Sequence, residues 1–190
     1  MARELIKLGG ILMLITLTAA TALSNVYLLT RDRIEAVEQA RVENARRAAL
    51  PQAVYFEADS TLGQFVFFRG YDNPEGTGEP VGYTVLALGK GYSSTIRTVV
   101  GLDTGLTIAG IKIAFQQETP GLGTKIEEIK GRDTEPWFQK QFRGKRDDQL
   151  EVVRSPAPDA IEAITGATIS SRAVAGSVRE AALKLKEVLQ

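Results

Sequence analysis

Three hydrophobic patterns follow one another along the chain. Residues 8–30, from Leu8 to Thr30, carry no charged side chain. As a helix this stretch would reach roughly 35 Å, enough to cross a hydrocarbon core of about 30 Å. From Arg31 to Leu50 the sequence turns to Ala, Glu and Arg and stops before Pro51, which predicts a helical stalk ended by the proline. Beyond it the period changes. Leu62–Phe68, Val81–Leu88, Ser93–Val100 and Leu106–Phe115 are rich in Val, Ile, Thr and Phe, separated by Gly-, Asn- and Pro-bearing turns, and are expected as strands. Ile111, Ile113 and Phe115 alternate with Lys112, Ala114 and Gln116, the pattern of a half-buried strand. Tyr71 to Pro80 reads as a polar, turn-rich loop within the domain. A helix is expected at 125–130, and Trp137, Phe138 and Phe142 fall at helical spacing within 134–142, where core packing explains them best. Val174, Val178, Ala181, Ala182, Leu185 and Leu189 recur at helical spacing and predict a final helix.

The resulting organisation is α+β: one N-terminal transmembrane helix (1–30), a helical stalk (31–50), and a domain (51–190) of mainly antiparallel strands flanked by helices. A cleavable signal peptide competes with the anchor, because Ala20-Thr21-Ala22 fits a small-residue cleavage pattern. The length of the apolar run favours the anchor. Thr16, Thr18, Thr21, Ser24 and Asn25 make the span unusually polar. Their side chains either bond to neighbouring helices or bond back to carbonyls of their own helix. Arg3 and Lys7 before the span balance Arg31 and Arg33 after it, so charge leaves orientation open.

Composition narrows the chemistry. The 190 residues have a formal net charge of zero, with no Cys and no His. Without a basic run interleaved with aromatics, nucleic acid is a poor partner. The missing residue types remove thiolate-bound clusters, the usual haem ligands, Cys/His zinc sites and His-based nucleophile systems. Any redox chemistry must therefore use an organic cofactor. A Ser–Lys hydrolase built on Ser170 or Ser171 finds no support in the spacing.

Two stretches carry candidate chemistry. Glu162-Ala-Ile-Thr-Gly-Ala-Thr-Ile-Ser-Ser171 clusters hydroxyls around Gly166 and Ala167 at the entrance to the final helix, where unpaired N–H groups favour a phosphate. Read alone, Thr165 or Ser170 could simply cap that helix, leaving a membrane-anchored binding module without a cofactor. Glu118-Thr-Pro-Gly-Leu-Gly-Thr-Lys-Ile126 follows the last strand. Its Pro and Gly residues permit a loop whose backbone comes close to a flat ligand.

Thr165-Gly166-Ala167-Thr168 resembles the flavinylation motif (Ser/Thr-Gly-Ala-Thr) of FMN-binding subunits in membrane-bound, ion-pumping redox complexes. The resemblance is to the G-subunit family of Rnf electron-transport complexes; the alternative is the related C-subunit family of sodium-translocating NADH:quinone reductases, with the same flavin chemistry but a different electron donor and acceptor. Glu118 to Gly123 resembles the second signature of that family, and Gly89-Lys90-Gly91-Tyr92 fits it too. Glu162 stands where the family usually has Asp. The resemblance implies that Thr168 carries FMN through a phosphoester installed by a flavin transferase. Thr165, Gly166, Ala167, Ile169, Ser170 and Ser171 would frame that attachment, with backbone N–H groups of 169–171 offsetting the phosphate charge. Glu118, Thr119, Gly121, Leu122 and Gly123 would border the isoalloxazine ring. It further implies a subunit of a complex that moves electrons between ferredoxin and NAD while pumping sodium ions or protons. The anchor would lie in the lipid of a bacterial inner membrane, with the domain outside the cytoplasm and the other subunits as partners. Gly121-Leu-Gly123 lacks the third glycine and the βαβ context of a nicotinamide fingerprint, so NAD would bind elsewhere.

Overall fold

The computed structural model describes residues 2–62 and 65–189. The chain divides into two compact units, Met1–Ala40 and Arg41–Gln190.

Helix α1 (Ala2–Ala49) supplies all the described residues of the first unit and the first residues of the second. Among the described residues it is the one helix long and apolar enough to cross a membrane. The threonine and asparagine side chains within the span bond back to their own helix. Thr16 donates to the Leu12 carbonyl (3.0 Å), Thr18 to Leu14 and Thr21 to Leu17 (both 2.8 Å), and Asn25 to Thr21 (2.8 Å). Each donor is thus satisfied without a second helix, which removes the cost of carrying it into lipid.

In the second unit five strands form an antiparallel meander in the order β1-β2-β3-β4-β5. They are β1 (Tyr55–Leu62), β2 (Phe65–Tyr71), β3 (Gly82–Lys90), β4 (Thr95–Asp103) and β5 (Ile108–Phe115). The expected strand over 62–68 is in fact two: β1 occupies the stretch after Pro51, and β2 begins at Phe65. Positions 63 and 64 of that expectation lie outside the described residues. β1 escaped notice because Glu57, Asp59 and Ser60 interrupt its apolar pattern. Tyr55 pairs with Tyr71 and Asp59 with Phe67, and Arg69 forms an ion pair with Asp59 at 2.7 Å.

Alternation sorts the faces of the sheet. Val85, Ala87, Ile96, Val100 and Leu102 point to one core, together with Ile111 and Ile113. Phe115 was expected on that same face. A register shift between Arg97 and Thr98 pairs Thr98 with Ile113 but Arg97 with Phe115, which turns Phe115 to the other face. There the Arg97 guanidinium lies 5.2 Å from the ring centroid. One extra residue in a strand is enough to reverse the alternation.

The core face is covered by α3 (Thr168–Leu189), which buries Val174, Val178, Ala181, Ala182 and Leu185. The opposite face receives the end of α1, where Ala45 and Ala49 pack on Val99. Arg46 ties this contact down. Its guanidinium sits 3.5 Å from the Phe68 ring centroid and 2.6 Å from Glu43. Burial lowers its pKa, and Glu43 works against that shift. Arg46→Ala is expected to cost about 1–2 kcal/mol in a denaturant melt, through the stacked guanidinium and the lost packing of its stem.

Between β5 and α3 the chain is mostly irregular. The helix expected at 125–130 is a short 3-10 turn (Gly123–Glu127), and the one expected over 134–142 shrinks to α2 (Trp137–Lys140). Phe138 and Phe142 are fully buried, with their rings edge to face at 5.6 Å, so core packing is their role. Trp137 lies at the edge of that core beneath Lys130, whose Nζ is 3.5 Å from the ring centroid. A 3-10 turn (Asp147–Gln149) and the short parallel pair β6 (Val152–Val153) and β7 (Ile161–Glu162) then lead the chain back toward α3. The Gln141 amide clamps the backbone of Glu162, accepting from its N–H at 2.7 Å and donating to its carbonyl at 3.3 Å. The approach to Thr165 is therefore anchored. The molecule has the expected α+β organisation: a long apolar N-terminal helix, then an antiparallel sheet flanked by helices.

Candidate functional site

Residues 163–171 form a tight turn leading into a helix. Gly166 adopts φ +80°, a conformation that costs glycine little and other residues more. Ser171 fastens the turn from inside. Its hydroxyl accepts from the Ile164 N–H at 3.0 Å and donates to the Ala167 carbonyl at 3.0 Å. The Ser171 N–H also bonds to Ala167, at 3.0 Å. Among the described residues, the N–H groups without an acceptor at the start of α3 are those of Thr168, Ile169 and Ser170, one residue earlier than the expected 169–171. Thr168 is half-buried, and among the described residues its hydroxyl has no hydrogen-bond partner.

Glu118 joins this turn to the rest of the domain. It is 4% exposed. Its Oε1 accepts from the Ser93 and Ser94 N–H groups, each at 3.0 Å, and from the Ser94 hydroxyl at 3.1 Å. Its Oε2 accepts from the Tyr92 N–H at 3.0 Å and from the Ser170 hydroxyl at 2.6 Å. The carboxylate thus links the β3–β4 turn, the Glu118–Gly123 loop and the first turn of α3. Two glycines make room for it. A Cβ at Gly91 would lie 2.5 Å from Oε1, and one at Gly123 would lie 2.6 Å from the Glu118 Cβ and 2.7 Å from the Ser170 Oγ. Neither position accepts a side chain without displacing the carboxylate. Ser170, expected as a possible helix cap, has its hydroxyl committed to Glu118.

Burial pushes the Glu118 carboxyl up, but the Ser170 hydroxyl and the three backbone N–H donors outweigh it, and the net direction is down. A carboxyl held below its unfolded value adds stability above that value and loses it as pH falls through the folded value. Stability of the domain is expected to drop on acidification below about pH 4. Urea midpoints across an acid series should show this limb in the wild type and a flatter one in Glu118→Gln.

A cavity of about 510 Å³ opens over these elements. It is lined by Glu118, Thr119, Leu122 and Gly123 from one loop, by Gly166, Ala167, Thr168, Ile169 and Ser170 from the other, and by Tyr92. Its size and its mixed apolar and polar lining suit a cofactor or drug-sized ligand. Of the residues singled out from sequence, Thr165 and Gly121 are exposed outside the lining and Ser171 is buried beneath it. Tyr92 was not singled out as a site residue. The signal that points to it is Gly91, a glycine ending a strand before a run of small polar residues.

The donor set fits a flavin phosphate. A hydroxyl that has no partner among the described residues stands at the N-terminus of a 22-residue helix, beside three N–H groups likewise without an acceptor among them and below a partly apolar cavity. Thr168 would hold the phosphate, the helix N-terminus would offset its charge, and Tyr92, Leu122 and Ile169 offer apolar surface to a ring system.

Comparison with known proteins supports an FMN-binding domain. The FMN-binding domain family matches residues 91–183, a span that contains every lining residue. The G subunit of the Na(+)-translocating ferredoxin:NAD(+) oxidoreductase complex of Acetobacterium woodii is 34% identical over 188 residues, covering 90% of this chain and 87% of that protein. The G subunit of the ion-translocating oxidoreductase complex of Shewanella baltica is 29% identical over 191 residues, covering 95% and 89%. Among solved structures, the C subunit of the Na(+)-translocating NADH-quinone reductase from Parabacteroides distasonis superposes with a TM-score of 0.50 at 26% identity. That match covers 66% of this chain and 63% of that one, less than two thirds of its length. The chain belongs to the family of G subunits of ion-translocating oxidoreductase complexes, and its second unit contains an FMN-binding domain.

Proposed function

We propose that the chain is an electron relay bearing FMN as a phosphoester on Thr168, within a membrane complex that couples ferredoxin:NAD+ electron transfer to translocation of sodium ions or protons. The observation that carries this reading is the Thr168 hydroxyl, without a partner among the described residues and set at the start of α3 in a cavity built from both sequence motifs. Bound FMN would accept electrons singly or in pairs and so connect carriers of both kinds. The rest falls to the protein. Thr168 Oγ1 would attack an activated flavin phosphate, a phosphoanhydride presented by a flavin transferase. It forms the new O–P bond as the nucleotide leaves, and gives up its proton to a base on the transferase. The N–H groups of Thr168, Ile169 and Ser170 would then offset the phosphate charge, while the Glu118 network fixes the turn that carries them.

Residues 1–30 would anchor the chain in the lipid of a bacterial inner membrane, 31–50 would form the stalk, and 51–190 would lie outside the cytoplasm. A covalent cofactor suits that side, where a dissociated flavin is hard to replace. Other subunits of the complex would bind NAD and ferredoxin and exchange electrons with this one.

The test is flavin fluorescence in a denaturing gel after co-expression with an active flavin transferase. The wild-type band and Thr165→Ala are expected to fluoresce, and Thr168→Ala to be dark. A dark wild-type band would favour a binding module without cofactor, and a fluorescent Thr168→Ala band would move the attachment to another hydroxyl.

A further inference from the structure

Among the described residues lining the cavity, Glu118 is the only one with a charged side chain, so no cation in that lining accompanies it. It is almost fully buried. Its five partners are three backbone N–H groups and two hydroxyls. These dipoles favour the ionised form but do not cancel its net charge. A carboxylate has about four lone-pair sites, so five donors leave it no acceptor capacity for a ligand. The resemblance implies a residue bordering the cofactor; with its acceptor sites filled, Glu118 would act there through its charge and not as a hydrogen-bond acceptor.

We infer that the Glu118 carboxylate is a fixed negative charge in the cavity wall that holds down the reduction potential of the flavin bound there. The inference rests on the FMN reading given above. Each electron that reaches the ring without a matching proton places negative charge near that carboxylate, across a wall that screens far less than water. The oxidised cofactor is thereby favoured over the reduced one. The electrons themselves come from and return to the redox partners of the complex, so Glu118 shifts an equilibrium without being consumed. Removing its charge is expected to shift the reduction equilibrium roughly tenfold, or about 30 mV for a two-electron couple.

Two neutral changes separate charge from architecture. Glu118→Gln removes the charge and keeps the shape. Ser170→Ala removes the 2.6 Å bond to the carboxylate and keeps the charge. Thr119→Lys leaves the five-donor network in place and sets a cation in the same wall, so it serves where Glu118→Gln fails to fold.

The experiment is spectroelectrochemical titration of the full-length, flavin-loaded protein in detergent. Glu118→Gln and Thr119→Lys are expected to raise the midpoint potential, while Ser170→Ala leaves it unchanged or lowers it. A flavin-loaded Glu118→Gln at the wild-type potential or below would overturn the inference, as would an equal rise in Ser170→Ala. Where Glu118→Gln fails to fold, an unshifted Thr119→Lys overturns it instead. Wild-type protein without covalent flavin would overturn the proposed function and this inference with it, an outcome visible before any potential is measured.

Discussion

Glu118→Ala is expected to destabilise the second unit by about 3–4 kcal/mol, among the larger effects a single substitution produces. The change strips the acceptor from the N–H groups of Tyr92, Ser93 and Ser94 and from the Ser170 hydroxyl. A polar group left buried without a partner costs about 1–3 kcal/mol. The total stays below the sum of those costs because Tyr92 and Ser93 are exposed, so water can reach part of the vacated space. The Ser94 hydroxyl keeps one partner, since it accepts from the Gln117 N–H at 2.9 Å. In a domain of this size the loss corresponds to roughly 10 °C in melting temperature. Calorimetry of the variant beside Ser170→Ala checks the account. Ser170→Ala should lose about 1.5–3 kcal/mol, one hydrogen bond to a charged acceptor, and so less than Glu118→Ala. If Glu118→Ala melted with the wild type, the carboxylate would not be the link between the three segments.

Thr168→Val is expected to show the opposite profile, with all covalent flavin lost and stability within about 0.5 kcal/mol of the wild type. Valine matches threonine in shape. The hydroxyl it removes has no partner among the described residues, so nothing in the fold depends on it. Thr168→Ser keeps an attachable oxygen and should retain flavin. In the assembled complex the valine variant should leave upstream carriers reducible and stop electron passage through this protein. A large stability loss in Thr168→Val would mean that the hydroxyl serves the fold, and the argument for its availability would fail.

Glu118 and Thr168 lie 50 positions apart in the chain and meet in one cavity, and how that happens marks the limit of the sequence. The two motifs stood out through their resemblance to the signatures of the FMN-binding family; read alone, a helix cap explains the first and a turn the second. The joining bond from Ser170 to Glu118 was not legible. It depends on the approach of the loop after β5 to α3, which tertiary packing sets. The strands β3, β4 and β5 were legible from alternation in Val, Ile and Leu. β1 was hidden by Glu57 and Asp59, whose acidity reads as loop until Arg69 is placed opposite. The reversal of Phe115 came from a single extra residue in β5, which leaves no trace in the side-chain pattern. The Thr168 N-terminus was read one residue late because Ser171 draws its own N–H back into the turn.

The central claim is a phosphoester on one named oxygen, and the most direct test is mass spectrometry of the full-length protein matured with a flavin transferase. The account predicts an intact mass raised by one FMN less one water. It also predicts a fragment series that places the whole increment on Thr168. An unmodified intact mass in the presence of a demonstrably active transferase would contradict it, and so would an increment that maps to Thr165, Ser170 or Ser171.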